Sequence, residues 1–188
     1  MSRFAVLALS ALVAGPVMAQ TAPASIEPDK VLSAAVSDWN DDGTMDRALL
    51  VDNGDAAADL LIYLSDGDNG LKPAAYAPGL VFSGAMAGTF ADLQLSPQGS
   101  LQVHSENGAV GRDRWDQVLT LAWRDGQFIV AGVTYGAVDT LDPTAGGNCD
   151  INLLTGKGTS NGKAVKLAPM TIAVAKWTDE SLPAACQF

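Results

Sequence analysis

The chain has 188 residues, 48% of them hydrophobic and 17% charged, with 11 Lys and Arg against 21 Asp and Glu. So apolar a composition excludes a disordered chain, and a net charge of −10 excludes nucleic acid or an anionic lipid surface as partner, since both reward Lys and Arg. One His and two Cys leave almost no means of building a His- or Cys-ligated zinc site, and the acidic balance leaves cations as the natural partners.

The first element is an address. Arg3 precedes an apolar run from Phe4 to Ala14, then Gly15-Pro16, then Val17-Met18-Ala19. This is the layout of a secretory signal peptide over 1–19, cut after Ala19. The run is too short for a bilayer core, which needs roughly 20 apolar residues. Gln20 stands where a lipoprotein would need Cys. Cleavage removes one base and no acid, so the mature chain is more acidic still. The expected product is a periplasmic or secreted protein, not membrane-spanning after cleavage, with residues 20–188 as a single all-β domain.

Residues 20–29 read as a leader strand or flexible arm, and 26–36 as room for a short helix that Pro28 opposes. Turn signals then recur at short intervals, which predicts antiparallel sheets in a sandwich or barrel-like arrangement. Strands are expected at 47–52, 59–64, 89–95, 100–105, 115–124, 127–135, 150–154 and 170–177. Asp125-Gly126 supplies the positive φ angles of a two-residue type I′ hairpin. On the strand before it, Trp115, Gln117, Leu119, Leu121 and Trp123 share the face expected to meet the core.

Chemistry concentrates between 38 and 46, in Asp38-Trp39-Asn40-Asp41-Asp42-Gly43-Thr44-Met45-Asp46. Oxygen-bearing side chains fall at loop positions 1, 3, 5 and 9, with Gly43 at position 6. Ca²⁺ is a hard ion that takes six to eight oxygens. A short chain surrounds it only by a sharp turn, which Gly43 permits. The carbonyl of Thr44 would add another donor. An EF-hand would continue to a Glu at position 12 and into a helix. Here position 12 is Leu49, and the exit is the strand-like Arg47–Val51.

Spacing with a strand exit resembles the FG-GAP repeat of integrin α-chain propellers and the related bacterial VCBS repeat. Ala58–Leu64 is similar to the second strand of that repeat, and Ser65–Ala74 to its closing Gly-rich turn. The resemblance covers residues 36–76, one copy, and so implies no multi-bladed propeller. It implies a calcium-loop hairpin with Asp38, Asn40, Asp42 and Asp46 as side-chain ligands and Thr44 as a carbonyl ligand. Asp41 replaces the usual Gly of position 4, and Asp tolerates unusual φ better than most residues.

Other groups carry weaker chemistry. His104 and Glu106 would share a strand face as an acid/base dyad. Asp139, Asp142 and Asp150 could supply the paired carboxylates of glycoside hydrolysis. Trp39, Trp115, Trp123 and Trp177 could offer sugar-stacking faces. Gly156-Lys157 lacks the flanking residues of a P-loop. Cys149 and Cys186, an even pair in an exported chain, are expected to form a disulfide. The reading is thus an exported, non-enzymatic calcium-binding β module, with a protein or glycan partner at the cell envelope. The alternatives are a periplasmic hydrolase of envelope polymers and a carbohydrate-binding module.

Overall fold

The computed structural model describes residues 21–67, 70–142 and 144–188, so the expected leader over 1–19 lies outside the described residues. A 3₁₀ turn at Pro28–Lys30 leads into β1 (Val31–Ser37), β2 (Asp46–Asp52), β3 (Ala57–Ser65) and β4 (Leu71–Phe82). These four form one antiparallel sheet in chain order. The second sheet runs through β5 (Thr89–Leu95), β6 (Leu101–Asn107), β7 (Asp113–Arg124), β8 (Gln127–Asp139), β9 (Gly146–Asn152), β10 (Lys157–Ser160) and β11 (Lys163–Lys166). A two-residue strand, β12 (Ile172–Ala173), pairs with β8. The protein is all-β and antiparallel, and neither sheet closes on itself.

Alternation explains the packing. Ala48 and Leu50 of β2, Leu60 and Ile62 of β3, Leu101 and Val103 of β6, and Leu119 and Leu121 of β7 are buried at every second position. They join one hydrophobic cluster drawn from both sheets. At β7 the buried residues are Gln117, Leu119 and Leu121, with Trp115 and Trp123 half-buried at its ends, the face expected from sequence. The sheets also meet edge to edge, where the Leu93 amide of β5 donates to the Ser33 hydroxyl of β1 at 3.0 Å.

Two expectations are corrected. The possible helix at 26–36 is a 3₁₀ turn starting on Pro28 and then a strand, because the segment after Lys30 pairs with β2. Residues 71–82, read in part as a turn, form a full strand. Pro73 and Pro78 obscured it, yet β4 is an edge strand, where proline is tolerated. The β3–β4 register shifts beside each proline.

Both tight hairpins are of type I′. Asp125 and Gly126 have φ of 50° and 77°, and Asn161 and Gly162, joining β10 to β11, have 50° and 72°. β8 changes partner at Ala131, a bulge between Val130 and Gly132. Beyond it β9 pairs with Gly132–Val138, and before it β12 pairs with Ile129 and Val130. The 170–177 strand expectation thus reduces to β12 followed by a 3₁₀ turn at Val174–Lys176. The disulfide Cys149–Cys186 then ties the C-terminal tail to β9, with both residues buried. No helix among the described residues is long and apolar enough to cross a membrane.

Candidate functional site

The 38–46 loop joins β1 to β2, and its path is set by two left-handed residues, Asp41 at φ 58° and Gly43 at φ 86°. Asp41 thus takes a left-handed conformation, which Asp tolerates better than most residues. Asp38 folds the loop over itself: its Oδ1 accepts the Asp42 amide at 3.1 Å and its Oδ2 the Gly43 amide at 2.8 Å. The Asp42 carboxylate accepts the Thr44 amide at 2.8 Å, the Thr44 hydroxyl at 2.5 Å and the Asn40 side-chain amide at 2.8 Å. The Thr44 hydroxyl, then the Asn40 amide, then the Thr44 backbone hold the Asp42 carboxyl below the usual Asp range, so it stays charged at neutral pH.

Asp46 plays a different part. It is fully buried, accepts the Trp39 amide on Oδ2 and the Ser65 amide on Oδ1, both at 2.9 Å, and so binds the start of the loop and the end of β3 to β2. Trp39 adds a second anchor, its ring meeting Phe128 of β8 edge-on at 6.1 Å. The loop is therefore fixed to both sheets before any ligand is considered. Beside it, Asn40 and Asp42 border a depression shared with Asp66 and Lys72, which form an ion pair at the start of the β3–β4 connection and β4.

The donor set suits a calcium ion by chemistry: three carboxylates, one amide oxygen and one carbonyl, with no nitrogen or sulfur ligand. Asp38, Asn40 and Asp42 lie within one turn, while Asp46 stands apart, occupied by backbone amides. Among the described residues no three carboxylate, His or Cys groups converge closely enough to form a metal cage. The loop is held by carboxylate–amide bonds.

Other expected groups separate. Asp139 is paired with Arg112, whose Nε donates to it at 2.9 Å. Asp142 closes its own turn by accepting the Thr144 amide at 3.0 Å, and Asp150 lies exposed on β9. His104 and Glu106 do share the outer face of β6. There His104 stands opposite Asp92 of β5 and Glu106 opposite Asp116 of β7. Glu106, Asp116 and Arg114 border an outer cavity of about 350 Å³. The tryptophans share no open platform: Trp123 packs on Phe128 at 4.9 Å, as Trp39 does, Trp177 is buried, and Trp115 faces Tyr135.

One site escaped the sequence. A cavity of about 430 Å³ opens between the ends of β3 and β4, strands β6–β8 and the C-terminal tail. The signal was present as polar residues at inward strand positions, Ser105 and Gln117. No family model, no curated protein and no solved structure matches this chain.

Proposed function

We propose that the chain is an exported, non-enzymatic β module whose 38–46 loop takes one Ca²⁺ and is stiffened by it. The observation that carries this reading is the backbone path at Asp41 and Gly43, which turns Asp38, Asn40 and Asp42 toward one another. Asp38, Asn40, Asp42 and Asp46 would hold the ion through side chains and Thr44 through its carbonyl. The ion would offset the negative charge that Asp38 and Asp42 bring to one turn. The first sheet, a four-stranded meander whose first connection is this loop, is consistent with an FG-GAP or VCBS-like unit over 36–76. The chain would serve at the cell envelope, in the periplasm or outside, by binding a protein or glycan.

The test is thermal. Calcium raised to about ten times a millimolar Kd should stabilise by about 1.4 kcal/mol, a rise of roughly 3–6 °C in Tm for a chain of this size. Asp42→Ala should remove that rise while leaving the metal-free Tm nearly unchanged. An unchanged melt across the titration refutes the assignment.

A second reading has one observation in its favour. Glu106 and Asp116 face each other across β6 and β7 beside Arg114. Directly opposed residues hold their Cβ atoms about 4.5–5.5 Å apart, compatible with the carboxyl spacing of roughly 5–9 Å in glycoside hydrolysis. A hydrolase of envelope polymer would place its acid and base there. Glu106→Gln should then abolish release of fragments from purified peptidoglycan, and equal release by both proteins rejects it.

A further inference from the structure

The cavity of about 430 Å³ lies within the size range of small-molecule sites and combines an apolar wall with a few polar groups. Leu80, Val81 and Phe82 form the apolar side. Ser105, Gln117 and Tyr135 sit directly beside one another on β6, β7 and β8, and all three line the cavity. Ser105 is 3% exposed and Gln117 8%. As two neighbours along one wall of the cavity, they can each offer an oxygen to the donors of a ligand.

The charge of the site is one-sided. Its lining holds Asp179, exposed on the tail, and no Lys, Arg or His. Tyr135 reports the same field: burial first, then the carboxylates of Asp179, Asp116 and Asp113, push its phenol above the ordinary range. The rings of Trp115 and Tyr135 lie 25° from parallel with centroids 6.4 Å apart, and ring faces attract cations.

We propose that this cavity binds a small organic cation, a primary ammonium on an apolar or aromatic body. The ammonium has three N–H donors and no acceptor. It would donate to the Asp179 carboxylate, the Gln117 carboxamide oxygen and the Ser105 hydroxyl oxygen, with Trp115 and Tyr135 presenting ring faces to the charge. The body would lie against Leu80, Val81 and Phe82. An anion would meet the Asp179 charge with no Lys, Arg or His in the lining to offset it, and a neutral isostere loses the charge-assisted bond, which is roughly twice as strong as a neutral one.

The site shares no residue with the 38–46 loop, so the two proposals fail separately. Titrate the mature oxidised protein with benzylammonium, benzyl alcohol and benzoate, following the indole signal of Trp115 and the amides of Gln117 and Tyr135 by NMR. Benzylammonium should give saturable shifts at these residues, benzyl alcohol about tenfold weaker binding, and benzoate none. Asp179→Asn, an exposed substitution, should weaken benzylammonium roughly fivefold and leave benzyl alcohol unchanged. Asp42→Ala should bind all three as the unsubstituted protein does. The proposal is overturned if benzyl alcohol or benzoate binds as tightly as benzylammonium, if Asp179→Asn has no effect, or if none of the three shifts these residues.

Discussion

Asp46 and Asp42 occupy one loop yet do different work, and variants separate them. Asp46 is buried with each carboxylate oxygen on a backbone amide, so Asp46→Ala strands the amides of Trp39 and Ser65. Each buried unsatisfied amide costs about 1–3 kcal/mol, so a loss of about 2–6 kcal/mol is expected for the two. Asp46→Asn keeps one acceptor oxygen and should lose clearly less. Urea unfolding in excess EDTA measures both, and metal-independent losses in this order assign Asp46 to architecture first. Asp42, exposed and bonded within its own turn, should matter only when calcium is present. Spacing alone gave all five oxygen-bearing residues one role. What it could not convey is that position 9 is also a hydrogen-bond clamp on Ser65, a residue 19 positions away whose proximity depends on the β2–β3 ladder.

Among the elements, strands with clean period-two alternation and a positive-φ turn were legible. The β7–β8 hairpin shows this best: Asp125-Gly126 marked the reversal, and Leu119 and Leu121 marked the buried face. β5 runs from Thr89 to Leu95, as its pattern predicts. The strands that stayed hidden have physical reasons. β1 and β4 are edges of their sheet, and β4 contains two prolines that a central strand would reject. β10 and β11 are four residues each, with Lys at 157, 163 and 166, too short and polar for alternation to register. Their Asn161-Gly162 turn was nonetheless a strong hairpin signal that could have located them. Gly156 just before β10 is similarly specific. Its φ is +67°, and a Cβ there would come 2.1 Å from the Leu167 carbonyl oxygen. It is a packing glycine, which explains why Gly156-Lys157 resembled a nucleotide loop only in letters.

Over the whole molecule, the site that sequence could not assemble is the one built from the most distant parts. The cavity takes Ala57 from the first sheet, Ser105 and Gln117 from the second, and Asp179 and Leu182 from the tail. No local pattern announces such a convergence. The tail is held by the β12 pairing and by the disulfide, which closes a separation of 37 residues and is worth about 4 kcal/mol in the chain-entropy account. With both cysteines changed to serine, amide exchange at Ile172, Ala173 and Trp177 should accelerate more than tenfold while β5–β7 stay protected. Uniform acceleration would mean that the tail is not a separable unit.

The strand order has a consequence for how the molecule comes into being. Each ladder of the two sheets joins strands adjacent in the chain, and among the described residues the β12–β8 pairing alone departs from this. Loop closures are therefore short, and their entropic cost is met one hairpin at a time. A chain emerging from its N-terminus can add each strand to the one just formed, and the longer-range steps are the packing of one sheet on the other and the docking of the tail. The last 17 residues are then the closing step, arriving on strands already in place. The wall that carries Asp179 would be the last side of the cavity to form.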